Sequence, residues 1–558
     1  MSDLYSGVEA TGTPGMAGEL GTAGERMTAL AEGAPEITGV PGESGVSPNV
    51  TQNPVWKATS EEMQREARQR KRLETVEADF GFIGLLCLAF GVIGTFFLHK
   101  NPSGITFPLF VAMVYGFSWL ILRRRGIQIK GGSWFLIGMS LLIGISTCMT
   151  ADTTIRGFNK LALFLLFCVF VLHQRYRDGR WNIGKYMGAI FMFLCRALGF
   201  LGCPFSHGIR FLKSIRNKKY KNVVWVLAGI CVAAPVAIIL SILLATADRV
   251  FESVLDTVIT EFLNPFTVIP VVFKIIFGII AMYCLICSAC AGEITEEVKD
   301  RRTAEPLIAI AFMALIGAVY LLFCGIQVVY LFMGRGQLPY GLTYAEYARQ
   351  GFFQLLFVAV LNLVMVLLCL KYFRRSVVLN MVLLVISLCT YVMIASAFYR
   401  MILYVGQYHL TYLRLLVLWF LPVLAVLMAG VVALIFWNRF PLFWHCLGVI
   451  SVCYLALAWM KPDYQIARYN LTAAGGDAVI TDVYRDEYYS RDGVDYLSRL
   501  SADAAPAVAE LMAESDGKQR LLEKYVFDYE KNCGWGVEIR KYNFSFAKAL
   551  EILNKNGQ

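Results

Sequence analysis

The chain has 558 residues, of which 57 % are hydrophobic and only 16 % charged, with a net charge of +10. Soluble chains carry about 25 % charged residues, so a set of soluble domains is excluded. Nucleic acid is excluded as the partner of the positive charge, because the excess Lys and Arg sit in short loops between apolar runs. There they act as topology signals and as contacts to anionic lipid head groups.

Residues 1–56 are rich in Gly, Ala, Glu and Pro and poor in aromatics. Such a segment buries too little apolar area to offset its ordering entropy, which predicts a disordered N-terminal tail. Being polar and Gly-rich, it does not read as a signal peptide, and the first span is expected to serve also as the insertion signal. Residues 57–79 predict a basic juxtamembrane helix.

Eleven apolar runs follow, each near the roughly 20 residues that cross a bilayer. They cover 80–98, 105–122, 133–150, 157–173, 223–245, 269–291, 307–332, 352–370, 377–398, 415–437 and 441–460. The predicted fold is an all-α polytopic transmembrane bundle over residues 80–460. Residues 186–203 form a twelfth candidate, but Lys and Arg crowd both of its flanks. A single crossing cannot keep both flanks on one side, so the segment 186–220 is expected to be interfacial or re-entrant. Its second half places Phe205, Ile209, Leu212 and Ile215 on one helical face.

Eleven spans with a cytoplasmic N-terminus put 28 Lys and Arg of residues 57–440 on the cytoplasmic side and 9 on the other. Residues 461–558 then form an extracytoplasmic C-terminal helical domain. Pro506 after Asp503 reads as a helix start. The stretches "QRLLEKYVFDYE" and "NFSFAKALEILNK" are amphipathic.

The most informative polar strip is "LTYAEYARQGFF", residues 342–353. Thr343 and Glu346 have capping-box spacing, and Glu346 and Arg349 share a helix face. Tyr340, Tyr344 and Tyr347 suit an interfacial aromatic belt. The plain reading is an anchor for the eighth span, and the sharper one is a ligand site. Other charges end spans on the same side: Asp152, Asp248, Arg249 and Arg400. Lys274 lies inside the sixth apolar run, where it is either functional or snorkels to the nearby surface. Asn362 and Gln327 read as interhelical hydrogen-bonding groups. Cys284, Cys287 and Cys290 have C-x-x-C-x-x-C spacing, but no fourth Cys or nearby His completes a metal site, so packing is the expected role. No nucleotide, zinc-protease or nucleophile-elbow motif occurs. No cofactor is expected.

The stretches "ADRVF" (247–251), "LTYAEYARQGFF" (342–353), "YHLTYLR" (408–414), "KPDYQIARYNL" (461–471) and "DYLSRLSADAAP" (495–506) carry a family resemblance. In them the chain resembles bacterial membrane proteins known only as domain-of-unknown-function family 4173, within the broader 4153-like group. The pattern has Gly where His409 stands here. The resemblance implies a bacterial plasma membrane and supplies no activity. Three functions fit: binding or translocation of a small molecule or lipid near the outer face, a signalling or envelope-stress role with a protein partner, and a transferase acting on lipid-linked substrates. Glu346, Arg349, Tyr344, Tyr347, Asp248, Arg249, Arg400 and Lys274 are the candidate site residues.

Overall fold

The computed structural model describes residues 54–179, 181–216, 265–291, 302–329, 351–473, 495–533 and 539–556, with isolated positions between 229 and 248. The expected disordered tail, and most of the expected span 223–245, lie outside the described residues.

Ten described helices are long and apolar enough to cross a bilayer. After α1 (Pro54–Ala78) come α2 (Phe80–Leu98), α3 (Thr106–Arg124), α4 (Gly131–Met149) and α5 (Thr153–Arg175). A bent pair follows, α6 (Ile183–Gly199) and α7 (Cys203–Arg216). The remaining spans are α8 (Pro265–Ala291), α9 (Pro306–Gln327), α10 (Phe352–Tyr372), α11 (Val377–Tyr408), α12 (Tyr412–Phe436) and α13 (Leu442–Met460). In hydrocarbon a backbone satisfies its polar groups within its own helix, and these apolar runs leave it no alternative. Among the described residues there is no strand, and one isolated bridge joins Ala304 to Phe373. The chain is a multi-pass, all-helical membrane protein.

The helices alternate between two ends. At the first, the basic end, cations bind carbonyls left open in the last turns of helices. Arg175 donates to Cys290 O at 3.4 Å, Arg302 to Leu370 O at 3.1 Å and Arg375 to Leu434 O at 3.2 Å. Lys130 reaches Tyr176 O at 2.7 Å. Thus part of the charge read as a topology signal also closes helix termini.

Within the bundle, polar side chains join helices as expected. Asn362 donates to Thr390 at 2.9 Å and accepts from Tyr320 at 2.9 Å. Gln327 accepts from Ser396 at 2.8 Å. Cys284 and Cys287 are buried, and Cys287 packs with Val76, Ile83 and Tyr283.

The second end is covered by the C-terminal segment, and we call it the capped end. That segment holds α14 (Pro462–Ala473), α15 (Ala505–Leu511), α16 (Asp516–Cys533) and α17 (Phe544–Asn556). Pro506 sits in the first turn of α15, as the sequence predicts. Asp503 does not start that helix. It is buried against the bundle, and Ser501 caps the short 3-10 turn before α15. One apolar core runs from the bundle into this segment, joining Leu355, Met401 and Leu421 to Leu471, Leu500, Val508 and Tyr525. This explains why α11 continues ten residues past its expected end at 398: its last turns bury Met401 and Val405 in that shared core. Close approach matters too. A Cβ on Gly104 would collide with the Arg540 carbonyl oxygen.

His409, between α11 and α12, has φ 62° and ψ 173°. Only glycine enters that region without strain, which costs other residues about 1–3 kcal/mol. A glycine, which the resemblance leads one to expect here, would adopt this conformation without strain.

Candidate polar site at the capped end

The turn from α4 to α5 and the turn from α13 to α14 meet at the capped end. Asp152 is the N-cap of α5 and accepts from Thr154 N at 2.7 Å, as short polar side chains do at helix starts. Its second oxygen accepts from the Tyr412 hydroxyl at 2.9 Å. Lys461 turns the chain through a left-handed conformation, φ 54°, and so sets Asp463 in the first turn of α14. Asp463 accepts from Ser501 N at 2.8 Å. Asp503 accepts from the Thr150 hydroxyl, from Ala151 N at 3.1 Å and from the Ser545 hydroxyl, with Lys461 Nζ 3.9 Å away.

A cavity of about 330 Å³ opens between the bundle and the C-terminal segment. Asp152 and Asp463 line it with Tyr412, Tyr496, Tyr525 and Tyr529. Two arginines also line it. Arg156 is buried, donates to Ser103 Oγ at 2.9 Å and lies over the Tyr529 ring. Arg499 lies over the Tyr496 ring. Asp528 pairs with Lys524. Among the described residues, no cation lies within ion-pairing distance of the Asp152 or Asp463 carboxylate and the donors to both carboxylates are neutral, while Arg156 Nε donates to the Asp152 backbone carbonyl at 3.3 Å.

This shapes their acidity. Burial pushes the Asp463 carboxyl up to about 7, the Asp152 charge adds to the rise, and the Ser501 hydrogen bonds oppose it. Burial also raises Asp152, against the hydrogen bonds from Tyr412 and Thr154. Two carboxyls on one cavity wall thus both have their charge disfavoured.

Tyr344, Glu346, Tyr347, Arg349 and Arg249 lie outside the described residues. Asp248 is exposed, its backbone N bonded to Leu244 O. Arg400 is buried within the bundle and donates to Gln327 at 3.3 Å. Its guanidinium approaches the start of α10, where a Cβ on Gly351 would lie 2.9 Å from it. Lys274 reaches toward the capped end, 3.4 Å from His99 Nδ1. Burial and the charges of Lys274, Lys100, Arg540 and Lys541 hold His99 below its ordinary value. Arg400 and Lys274 therefore have separate partners and do not line the cavity. Asp152 does line it. Asp463 and Tyr412 carry no separate signal in the sequence, although an aspartate three residues after the Met that ends an apolar run ("WMKPD") repeats the pattern of Asp152.

No curated protein and no solved structure matches this chain. Residues 137–511, about two thirds of the chain, match the family described as Domain of unknown function (DUF4153). The match runs from within α4 to the end of α15 and so contains Asp152, Asp463 and Asp503. The chain belongs to the DUF4153 family, as one of its multi-pass helical membrane proteins.

Proposed function

We propose that the protein binds a small amine-bearing molecule in the cavity at the capped end, on the extracytoplasmic side of a bacterial plasma membrane. The observation that carries this reading is the pair Asp152 and Asp463, two carboxylates on one cavity wall that have no cation within ion-pairing distance among the described residues. An ammonium group supplies the missing charge, and tyrosine faces favour a cation further. A volume near 330 Å³ is at the small end of ligand pockets. Because a cation and a proton compete for Asp463, binding weakens as pH falls through about 7.

The test is thermal unfolding of the full-length protein with choline, ethanolamine and 3,3-dimethylbutan-1-ol, a neutral isostere of choline. An amine at a hundred times its Kd stabilises by about 2.7 kcal/mol. The amines are expected to raise the midpoint at pH 8 more than at pH 6. The isostere is expected to do nothing, and Asp152→Asn and Asp463→Asn are expected to abolish the shift. Equal action of the isostere, or an unchanged shift in both variants, would end this reading.

Sidedness rests on the cations gathered at the basic end, which favour the cytoplasm. Ala513 is exposed between α15 and α16. An Ala513→Cys protein should gain labelling by an impermeant maleimide in intact cells. Labelling that appears only after lysis would put the cavity on the cytoplasmic side. The signalling reading draws on the same geometry, since the C-terminal segment forms one cavity wall and a bound molecule would touch it directly.

A further inference from the structure

The bent pair α6–α7 is a second unexplained feature, at the opposite end of the molecule. Its two helices meet at 47°. Its contacts along its length all fall at the basic end. Tyr186, near the start of α6, stacks on Phe443 in the first turn of α13 and donates to Asp178. The Phe193 carbonyl accepts from Ser288, one turn from the end of α8, at 2.8 Å. His207 meets the Tyr283 hydroxyl at 2.8 Å. Phe211 lies 3.1 Å from a Cβ built on Gly81, at the start of α2, and Arg210 pairs with Glu77 at 2.8 Å. A segment that crossed the bilayer would carry its far half to the capped end, whereas α7 still contacts the start of α2 at the basic end.

The other face is apolar and uncovered. Met187, Phe191 and Leu198 on α6, and Phe205, Ile209 and Leu212 on α7, are each between 54 % and 69 % exposed. Charge accompanies them. Residues 175–216 contain eight Lys and Arg against a single acid, Asp178, which is already bonded to His173 and Tyr186. Lys185 and Arg196 lie three turns apart on one flank of α6, and Lys213 is exposed on α7. Arg196 Nη1 is buried without a hydrogen-bond partner among the described residues.

We infer that α6–α7 lies in the plane of the leaflet at the basic end and binds anionic phospholipid there, with Lys185, Arg196 and Lys213 as the head-group contacts. Its apolar face sinks about 5–10 Å into the boundary between head groups and acyl chains. The flanking cations hold phosphate in the layer above. Arg196, half-buried on the flank of the apolar face, adds its charge to that layer. This surface is separate from the cavity, so its failure would leave the amine-binding reading untouched.

The experiment uses the full-length protein in nanodiscs of phosphatidylcholine containing phosphatidylglycerol. Native mass spectrometry counts the phosphatidylglycerol retained. Each cation near an anionic surface changes lipid partition roughly fivefold, so the triple variant Lys185→Gln, Arg196→Gln, Lys213→Gln should lose selectivity roughly tenfold or more. A control triple at the same end, Arg123→Gln, Lys371→Gln, Arg439→Gln, should keep it. Lys185→Arg with Lys213→Arg should keep it as well, which separates charge from folding. Equal retention by parent and triple variant, or equal loss in the control triple, overturns the lipid site.

Placement is read from spin labels at Met187→Cys, Leu201→Cys and Leu212→Cys in a Cys195→Ser background, with depth measured by a nickel-chelating lipid. All three labels should be equally shallow. A Leu201 label at mid-bilayer between two shallow ends would show that the pair crosses, and would overturn the in-plane arrangement.

Discussion

Replacing Asp503 with alanine is expected to cost about 3–5 kcal/mol, the usual penalty for removing one partner of a buried charged network. The side chain has no solvent exposure and holds groups from three parts of the chain: Thr150 and Ala151 between α4 and α5, Ser545 at the start of α17, and the Lys461 ammonium after α13. Alanine leaves these donors facing a void, and each buried unsatisfied donor costs about 1–3 kcal/mol. Asp503→Asn retains one acceptor oxygen but turns an NH2 group toward donors, so a smaller loss of about 1–3 kcal/mol is expected. Thermal unfolding of the purified protein gives the size, and limited proteolysis gives the place, with new cleavage beyond residue 460 at temperatures where the parent resists. If Asp503→Ala melts with the parent, the latch assigned to this residue is wrong.

The second large effect is on the pH dependence of stability. Asp463 has an ordinary value of 3.8 and a folded value of about 7, raised first by burial and then by the Asp152 charge. The folded state therefore holds this proton more tightly than the unfolded chain does. Below about pH 4 both states are protonated and the group costs nothing. As pH rises from about 4 to about 7 the unfolded chain ionises while the folded one does not, and stability falls. Above about 7 the loss levels off, at no more than about 4 kcal/mol from 1.36 kcal/mol per pH unit. Most acid-sensitive proteins slope the other way, because their carboxylates are paired when folded. The check is unfolding of the parent and Asp463→Asn from pH 4 to pH 8.5. The substitution should flatten the curve, and parallel curves for the two proteins would remove Asp463 as the source. A bound amine should flatten it too, because the ammonium stabilises the ionised carboxyl.

The spans were legible because bilayer thickness imposes a length and the hydrocarbon imposes a composition. Ten expected runs appear as helices, with ends shifted by a few residues in most cases. The clear exception is α11. Hydropathy ends at Tyr399 and Arg400, but Met401 and Val405 find cover in residues made more than sixty positions later. The polar site was legible only in part. Asp152 stands at the end of an apolar run and was expected at this edge. Nothing local marks Asp503, whose partner Thr150 is 353 residues away, because no short motif encodes contacts between distant turns. The amphipathic pattern of α16 and α17 predicted helices with an apolar face, yet said nothing of what that face covers. His409 shows the reverse case: the residue that departs from the family pattern occupies a backbone conformation made for glycine.

The shared core at the capped end also bears on how the molecule is made. A ribosome finishes α10, α11 and α12 while Leu355, Met401 and Leu421 still lack the side chains that cover them, since Leu471, Leu500, Val508 and Tyr525 have yet to emerge. This later stretch is thus the keystone of the bundle and is laid after the helices it covers. A boundary drawn at residue 461 for expression cuts through a core and not through a linker. A message that stops there yields a membrane protein with an open apolar seam, the feature by which quality-control proteases in a bilayer select their clients.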